Sequence, residues 1–455
     1  MFGKIYVAFI IIFILLTFSL QAGEEKNPTP KILNLNECIA LAVKNNLEIK
    51  VEDSNIELFQ EKKKFIEGKK ILPQFTMEHL IGPVPDATGD IFTDPSSFDL
   101  NIDHITEDLG VFYKFEVKAV QPIYTFGKIS SLENIAKLGV DVAELKKGEK
   151  HADIISKVST VYYLINMLNN LQTIIDDGRE KLGEAKKKVT SLLEKGSTKV
   201  SIFDEYKIEV FELELDKNEV EVQSKKTIAI NGLKALLAID YDFEIEEITK
   251  KPDEYDLKDF EFYQQEALTK RPDFQQLEKA LKIRENQTTI GVAKFLPDIF
   301  AGGLFRYGIA PGRTDQHNPF VKDDFNYLVG GVGIGLKQDL DFWSTDREYR
   351  QAKIELQKLK NQKQLALSGI KLEVSKNYES VMSEKKKFEV AKESIRTTRK
   401  WLTQALNGFE NFGTNDVKEV KDAFIEYAKA RKEFYATIFE FEKQRIELEK
   451  STGTI

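Results

Sequence analysis

Leu296-Pro297-Asp298-Ile299-Phe300-Ala301-Gly302-Gly303-Leu304-Phe305-Arg306-Tyr307 opens the stretch that decides the fold. An interval rich in Gly, Pro, Asp and Asn follows, and then Tyr327-Leu328-Val329-Gly330-Gly331-Val332-Gly333-Ile334-Gly335-Leu336-Lys337-Gln338. Each arm has strand length, and roughly 9–11 residues is what a tilted strand needs to cross a bilayer. Charged helical patterns flank this island on both sides. A related island lies between Leu72-Pro73 and Gln121-Pro122.

Outward from these islands, the 455-residue chain is long enough for two or three ordinary domains, and 31% of it is charged. That balance suits long solvated helices. A net charge of -8 argues against nucleic acid as a partner. At the N-terminus Lys4 precedes an apolar run from Val7 to Leu20, and Leu20-Gln21-Ala22 resembles a cleavage site. Residues 1–22 therefore read as a signal peptide. The alternative, an uncleaved anchor, wants roughly 18–20 apolar residues, more than this run supplies. The single cysteine, Cys38, shares a helical face with Leu35, Ile39 and Ala42 and reads as a small buried apolar residue. No internal disulfide can form.

Read in order, residues 23–32 form a polar leader arm. Asn34 and Glu37 make a capping-box pattern, and a helix is expected from there to about Ile71, where Pro73 stops it. Strands are expected at about 74–81 and 112–121. In the first, Phe75, Met77, His79 and Ile81 alternate with Gln74, Thr76 and Glu78. In the second, Tyr113, Phe115, Val117 and Ala119 alternate with Lys114, Glu116 and Lys118. A proline-free helical pattern covers about 128–195, Gly196 breaks it, and another helix runs over about 200–238. An acidic joint at 239–261 separates this first half (23–238) from a second (262–455).

The second half repeats the order. A helix spans about 262–295, strands about 298–308 and 327–338, a long helix about 345–412, and a last helix about 417–450. Landmarks recur: Leu72-Pro73 with Leu296-Pro297, Gln121 with Gln338, Gly196 with Gly413. The long helix carries a heptad seam through Val374, Tyr378, Val381, Phe388, Ala391, Ile395, Thr398, Leu402, Ala405, Phe409 and Phe412, which requires a helical partner. Two shorter helices stacked end to end would cover it.

Strands in a membrane need every backbone group paired, so their sheet must close. About four strands per chain cannot do so, because known barrels begin at 8. The chain must share a barrel with copies of itself. Two copies give about eight strands and three give about twelve, and the spacing leaves both open. Aromatics near the strand ends (Phe112, Tyr113, Tyr124, Phe126, Tyr307, Tyr327) suit the girdles of such a barrel.

At this point the residues resemble those of the TolC-like outer membrane efflux proteins. Leu33-Asn34-Leu35-Asn36-Glu37-Cys38-Ile39-Ala40-Leu41-Ala42-Val43-Lys44-Asn45-Asn46 is similar to the family's opening pattern. Arg271-Pro272-Asp273 resembles the start of its second repeat, Gln121-Pro122-Ile123-Tyr124 the close of its first hairpin, and Glu410-Asn411-Phe412-Gly413-Thr414 its Gly-Thr turn. The resemblance implies a mainly α fold with a membrane β-barrel portion. It implies two tandem repeats, each a short helix, a β-hairpin, a long helix and a short helix, and a homotrimer sharing a 12-stranded barrel over a periplasmic α-helical tunnel. The implied function is a passive outer membrane exit duct of a tripartite efflux or type I secretion system. Its implied partners are outer membrane lipid, a periplasmic adaptor (membrane fusion) protein and an inner-membrane pump. Gly196, Gly413 and Thr414 would form tip turns contacting the adaptor, and Glu419 and Asp422 an acidic constriction at the periplasmic pore entrance. Glu419 and Asp422 are three apart and share a helix face; a solvated face with Lys418 and Lys421 is the plainer reading. Asn415 and Glu410 replace the family's usual Arg and Tyr, and Asp339 replaces a proline after Gln338.

No enzyme, cofactor or metal is expected. His79, His104, His151 and His317 are isolated, and no nucleophile elbow or phosphate loop occurs. Gly330-Gly331-Val332-Gly333-Ile334-Gly335 continues a strand alternation. A non-transport coiled-coil scaffold of the cell envelope is the alternative function.

Overall fold

The computed structural model describes residues 31–85, 109–197, 200–313, 320, 322–408 and 417–455. The signal segment, His104, His317, the seam residues Phe409 and Phe412, Gly413 and Thr414 lie outside them. Elements follow in the order β1 (Lys31–Leu33), α1 (Leu35–Asn45), α2 (Leu47–Ile71), β2 (Gln74–Pro85), β3 (Leu109–Tyr124), α3 (Lys128–Glu194) and α4 (Ile202–Leu237). Then come β4 (Phe243–Ile245), a 3-10 turn at Pro252–Glu254, α5 (Phe260–Lys270), α6 (Pro272–Ala293), β5 (Asp298–Ile309), β6 (Tyr327–Lys337), α7 (Phe342–Asn407) and α8 (Val417–Thr452).

Two expected helices are each broken in two. The expected capping box forms, with Asn34 Oδ1 accepting from Glu37 N at 2.9 Å and Glu37 Oε2 from Asn34 N at 3.0 Å. The helix it starts ends at Asn46, which is extended at ψ 126. Asn45 Nδ2 donates to Leu237 O at 3.0 Å, tying α1 to the end of α4. The second break falls at Arg271, because Pro272 takes the first position of α6, where its missing N–H costs nothing. The expected leader arm, 23–32, is not free at its end: Lys31 and Ile32 belong to Lys31–Leu33, which pairs in parallel with Phe243–Ile245 of the acidic joint.

The chain forms two compact units, each drawing segments from both sequence halves. The first holds residues up to Leu47, His151–Gln264 and Glu373–Ile455; the second holds Glu48–Lys150 and Gln265–Leu372.

In the first unit the helix order is α4–α3–α8–α7. Arg179 bridges α3 to Asp216 and Glu219 of α4, both at 2.6 Å, and Arg431 of α8 reaches Asp177 of α3 at 2.6 Å. The Phe388 and Phe434 rings join α7 to α8 at 5.2 Å. The seam residues Val374, Val381, Phe388, Ala391 and Ala405 are buried there. Fully buried Tyr162 donates to Glu246 O at 2.8 Å and Leu33 O at 3.2 Å, which pins the small β1–β4 ladder to α3.

In the second unit the helix order is α2–α3–α6–α7. The bridges are Lys147–Asp53 at 2.6 Å, Lys279–Asp141 at 2.5 Å and Lys363–Glu278 at 2.9 Å. Its sheet is antiparallel with the order β2-β3-β5-β6. Each strand is adjacent in sequence to the helix of the same rank, so sheet and helix layer share one order.

The two recurring glutamines serve one purpose. Gln121 Nε2 donates to Lys70 O at 2.9 Å, and Gln338 Nε2 donates to Phe295 O at 3.0 Å. Each satisfies a backbone carbonyl where the chain leaves a helix for the hairpin. The corners after them differ. The first turns through Phe126 and Gly127 at positive φ, with Thr125 Oγ1 accepting from Ile129 N at 3.3 Å. The second, lacking the proline, uses Asp339 to accept from Asp341 N at 3.1 Å and Asp341 to cap α7 through Ser344.

Candidate functional site

The four-stranded sheet has one apolar face, while its charged side chains all sit on the other, beside Leu80, Val120, Leu304 and Val329. One face carries Phe75, Met77 and Ile81 of β2, Tyr113, Phe115 and Val117 of β3, Ile299, Phe305, Tyr307 and Ile309 of β5, and Leu328, Val332, Ile334 and Leu336 of β6. Most of these are exposed, and Val332 is 93% exposed in the single chain. From Ile299 to Ile309 this face spans ten steps, or about 25 Å of height at a usual strand tilt, the height of an outer membrane apolar band. His79 sits on the same face, with Nδ1 2.8 Å from Tyr113 Oη near one rim.

The opposite face carries Thr76, Glu78, Lys114, Glu116, Lys118 and Arg306, with a run of glycines on β6. Two glycines here are required by close approach. A Cβ on Gly335 would lie 2.6 Å from the Phe300 ring, and one on Gly308 2.6 Å from the Tyr327 ring. Each aromatic lies over its cross-strand glycine. The outer edges of β2 and β6 have no partner strand among the described residues.

The second candidate region is the far end of α3 and α4, with the adjoining parts of α7 and α8. Gly196 ends α3 at φ +67. Ser197 N donates to Leu192 O and Gly196 N to Leu193 O, both at 3.0 Å, which is a Schellman close. Ser201 and Asp204 then form the capping box of α4, and Val189, Val200 and Ile208 pack as a small core under the turn. Gly413 and Thr414, its expected counterparts, lie outside the described residues.

Glu419 and Asp422 both lie in the first turns of α8. Glu419 is exposed and accepts from Trp401 Nε1 of α7 at 2.8 Å; Asp422 is half-buried. The pairing with Trp401 was not legible, since it joins residues on two helices. Also missed was a partly open cavity of about 730 Å³ lined by α3, α4, α7 and α8, with Ile208, Phe211, Leu402, Leu406 and Phe424 on its walls and Lys421 and Arg431 among its polar lining. Lys421 thus belongs to that cavity's lining, not only to a solvated face. Among the described residues no cluster of His, Cys, Asp or Glu suits a metal ion, and no helix is long and apolar enough to cross a membrane.

Residues 264–454 match the family described as outer membrane efflux protein. No curated protein matches the chain. Among solved structures, the fold is similar to that of CusC, at 15% identity and a TM-score of 0.75, covering 96% of each chain. It is similar to the Campylobacter jejuni CmeC outer membrane channel, at 16% identity and a TM-score of 0.72, covering 96% of this chain and 90% of the other. It is also similar to the Neisseria gonorrhoeae MtrE outer membrane channel, at 14% identity and a TM-score of 0.71, covering 92% and 88%. At these identities the likeness carries the fold, and the family match covers residues 264–454. Residues 264–454 thus match the outer membrane efflux protein family, and the whole fold is similar to that of outer membrane channels.

Proposed function

We propose that three copies of this chain close one 12-stranded barrel above a shared helical tunnel, and that the assembly is the passive outer duct of a tripartite efflux or type I secretion system. The observation that carries this reading is the open sheet with one apolar and one charged face. Its strand order is antiparallel throughout, so β6 of one copy meets β2 of the next also in antiparallel sense. Two copies would give eight strands, and an eight-stranded barrel is filled by its own side chains. Three is the smallest number of copies that leaves a lumen.

The helices support the same closure. α4 leaves Phe203, Tyr206, Val210 and Leu213 exposed at 3-4 spacing, and α2 leaves Val51, Leu58 and Phe65 exposed seven apart. Each ends the helix layer of its own unit on one side. On the other side α7 leaves Leu365, Leu372 and Val390 exposed. Such seams want helical partners, and a neighbouring copy supplies one to each. Repeats over 23–238 and 262–455, with 239–261 as a joint, account for the shared order of elements.

In this reading the turns at Gly196 and at Gly413-Thr414 face the periplasmic adaptor, and an inner-membrane pump supplies the energy. Glu419 and Asp422 narrow the periplasmic entrance. The test is to purify the full chain in mild detergent, count copies by native mass spectrometry, and measure conductance in planar bilayers. Three copies and a discrete pore are expected. A stable monomer, or a trimer without a pore, would sink the proposal.

A further inference from the structure

On the charged face of the sheet, Glu78, Glu116 and Arg306 stand side by side at one level across β2, β3 and β5. Lys114 and Lys118 flank Glu116 on the same face of β3. The Glu116 side chain is 4% exposed, while those of Lys118 and Arg306 are 51% and 42% exposed. Lys114 Nζ lies 3.1 Å from Glu116 Oε2 and 3.6 Å from Glu78 Oε1; Arg306 Nε lies 3.4 Å from Glu116 Oε2, and Lys118 also pairs with Glu116. Three cations therefore gather on one covered carboxylate with one further carboxylate beside them. The group keeps one excess positive charge, and around the covered Glu116 the exposed charges are Lys118, Arg306 and Glu78, two cations to one anion.

The opposite face of the sheet is apolar, so in a membrane this face is the one turned to water. Repeated in each copy at one height, the group becomes a ring. We infer that this ring, with Lys114, Lys118 and Arg306 held over Glu116, is a selectivity belt in the barrel lumen that favours anions and anionic groups of the cargo over cations. The inference rests on the shared-barrel reading above. Charged rings set selectivity by raising the local concentration of the opposite ion. The lumen of such a barrel is wide, so the effect depends on the Debye length, which is about 30 Å at 0.01 M salt and about 3 Å at 1 M.

The experiment measures reversal potentials of the full-length channel in planar bilayers across a KCl gradient, at low and at high salt. E116Q uncovers one more positive charge and is expected to raise the chloride-to-potassium permeability ratio. K118Q with R306Q leaves Glu116 paired to Lys114 and is expected to lower that ratio by about twofold at low salt. K118Q alone, at the most exposed cation, moves it the same way by less. All differences are expected to collapse near 1 M. Pores whose reversal potentials do not move in either direction overturn the belt and leave the barrel standing. Absence of any pore from the unsubstituted chain overturns the barrel and the belt with it.

Discussion

Glu442 is fully buried in α8, and Arg445 is the cation that makes this tolerable. Its Nε donates to Glu442 Oε2 at 2.9 Å, its Nη1 reaches Glu449 at 2.5 Å, and its guanidinium lies 5.1 Å from the Tyr255 ring centroid. Burial, and then the Glu442 charge, push the Tyr255 hydroxyl well above the ordinary tyrosine range, so it stays a neutral neighbour. This group ties the joint after β4 to α8. Removing one partner of a buried pair strands the other charge, so R445A is expected to cost about 3–5 kcal/mol. Replacing both with apolar residues (E442L with R445M) is expected to cost much less, as read from thermal unfolding of the detergent-solubilised assembly. A loss in the double variant as large as in R445A would contradict this account. Glu419 and Asp422 belong to the same scale but to a different argument. Two carboxylates per copy gathered around a narrow entrance would hold multivalent cations, so E419A with D422A is expected to weaken block by such cations added on the periplasmic side. Unchanged block would remove the pair from the entrance. W401F, which removes the donor to Glu419, separates positioning from charge: it is expected to alter block less than loss of both carboxylates.

At the scale of elements, the α3–α4 turn shows what sequence can and cannot disclose. Gly196 adopts φ +67, and a Cβ there would meet nothing within 4 Å. G196A is therefore a purely conformational change, expected to cost about 1 kcal/mol locally, and G196N less. Hydrogen exchange over residues 190–204 is the measurement; unchanged protection would mean the turn is not held in this conformation. A glycine after a long helix was readable in advance because its reason is local. The strands were readable because alternation at period two has one geometric meaning. Of the two helix breaks, that at Asn46 was the less visible. Pro272, ten residues into the expected helix, was a local breaker in plain view, whereas Asn46 breaks its helix where Asn45 bonds to the distant Leu237 carbonyl. The β1–β4 ladder was invisible for the same reason, since Lys31–Leu33 finds Phe243–Ile245 only after α3 and α4 are packed. The pairing of Trp401 with Glu419 and the cavity beside α3 arise from helix order, which no single stretch of residues encodes.

For the whole molecule, the central claim is which face of the sheet meets lipid, and adjacent residues of β6 can decide it. Val332 lies opposite Gly303 near mid-height on the apolar face, and its neighbour Gly331 points to the charged face, where a Cβ meets nothing within 4 Å. A lysine facing lipid at the bilayer midplane costs about 2–4 kcal/mol per copy, whereas a lumen-facing one mainly adjusts selectivity. V332K is therefore expected to lower the yield of folded oligomer in the outer membrane, with three copies compounding the penalty in each assembly. G331K is expected to assemble and conduct, with its permeability ratio moved toward anions. The two substitutions add the same side chain one residue apart, so strand propensity and overall charge cannot explain a difference between them. Equal assembly of both would show that β6 does not stand in a barrel wall. The reverse pattern would turn the sheet inside out, placing Lys114, Glu116 and Arg306 against lipid without water to solvate their excess charge.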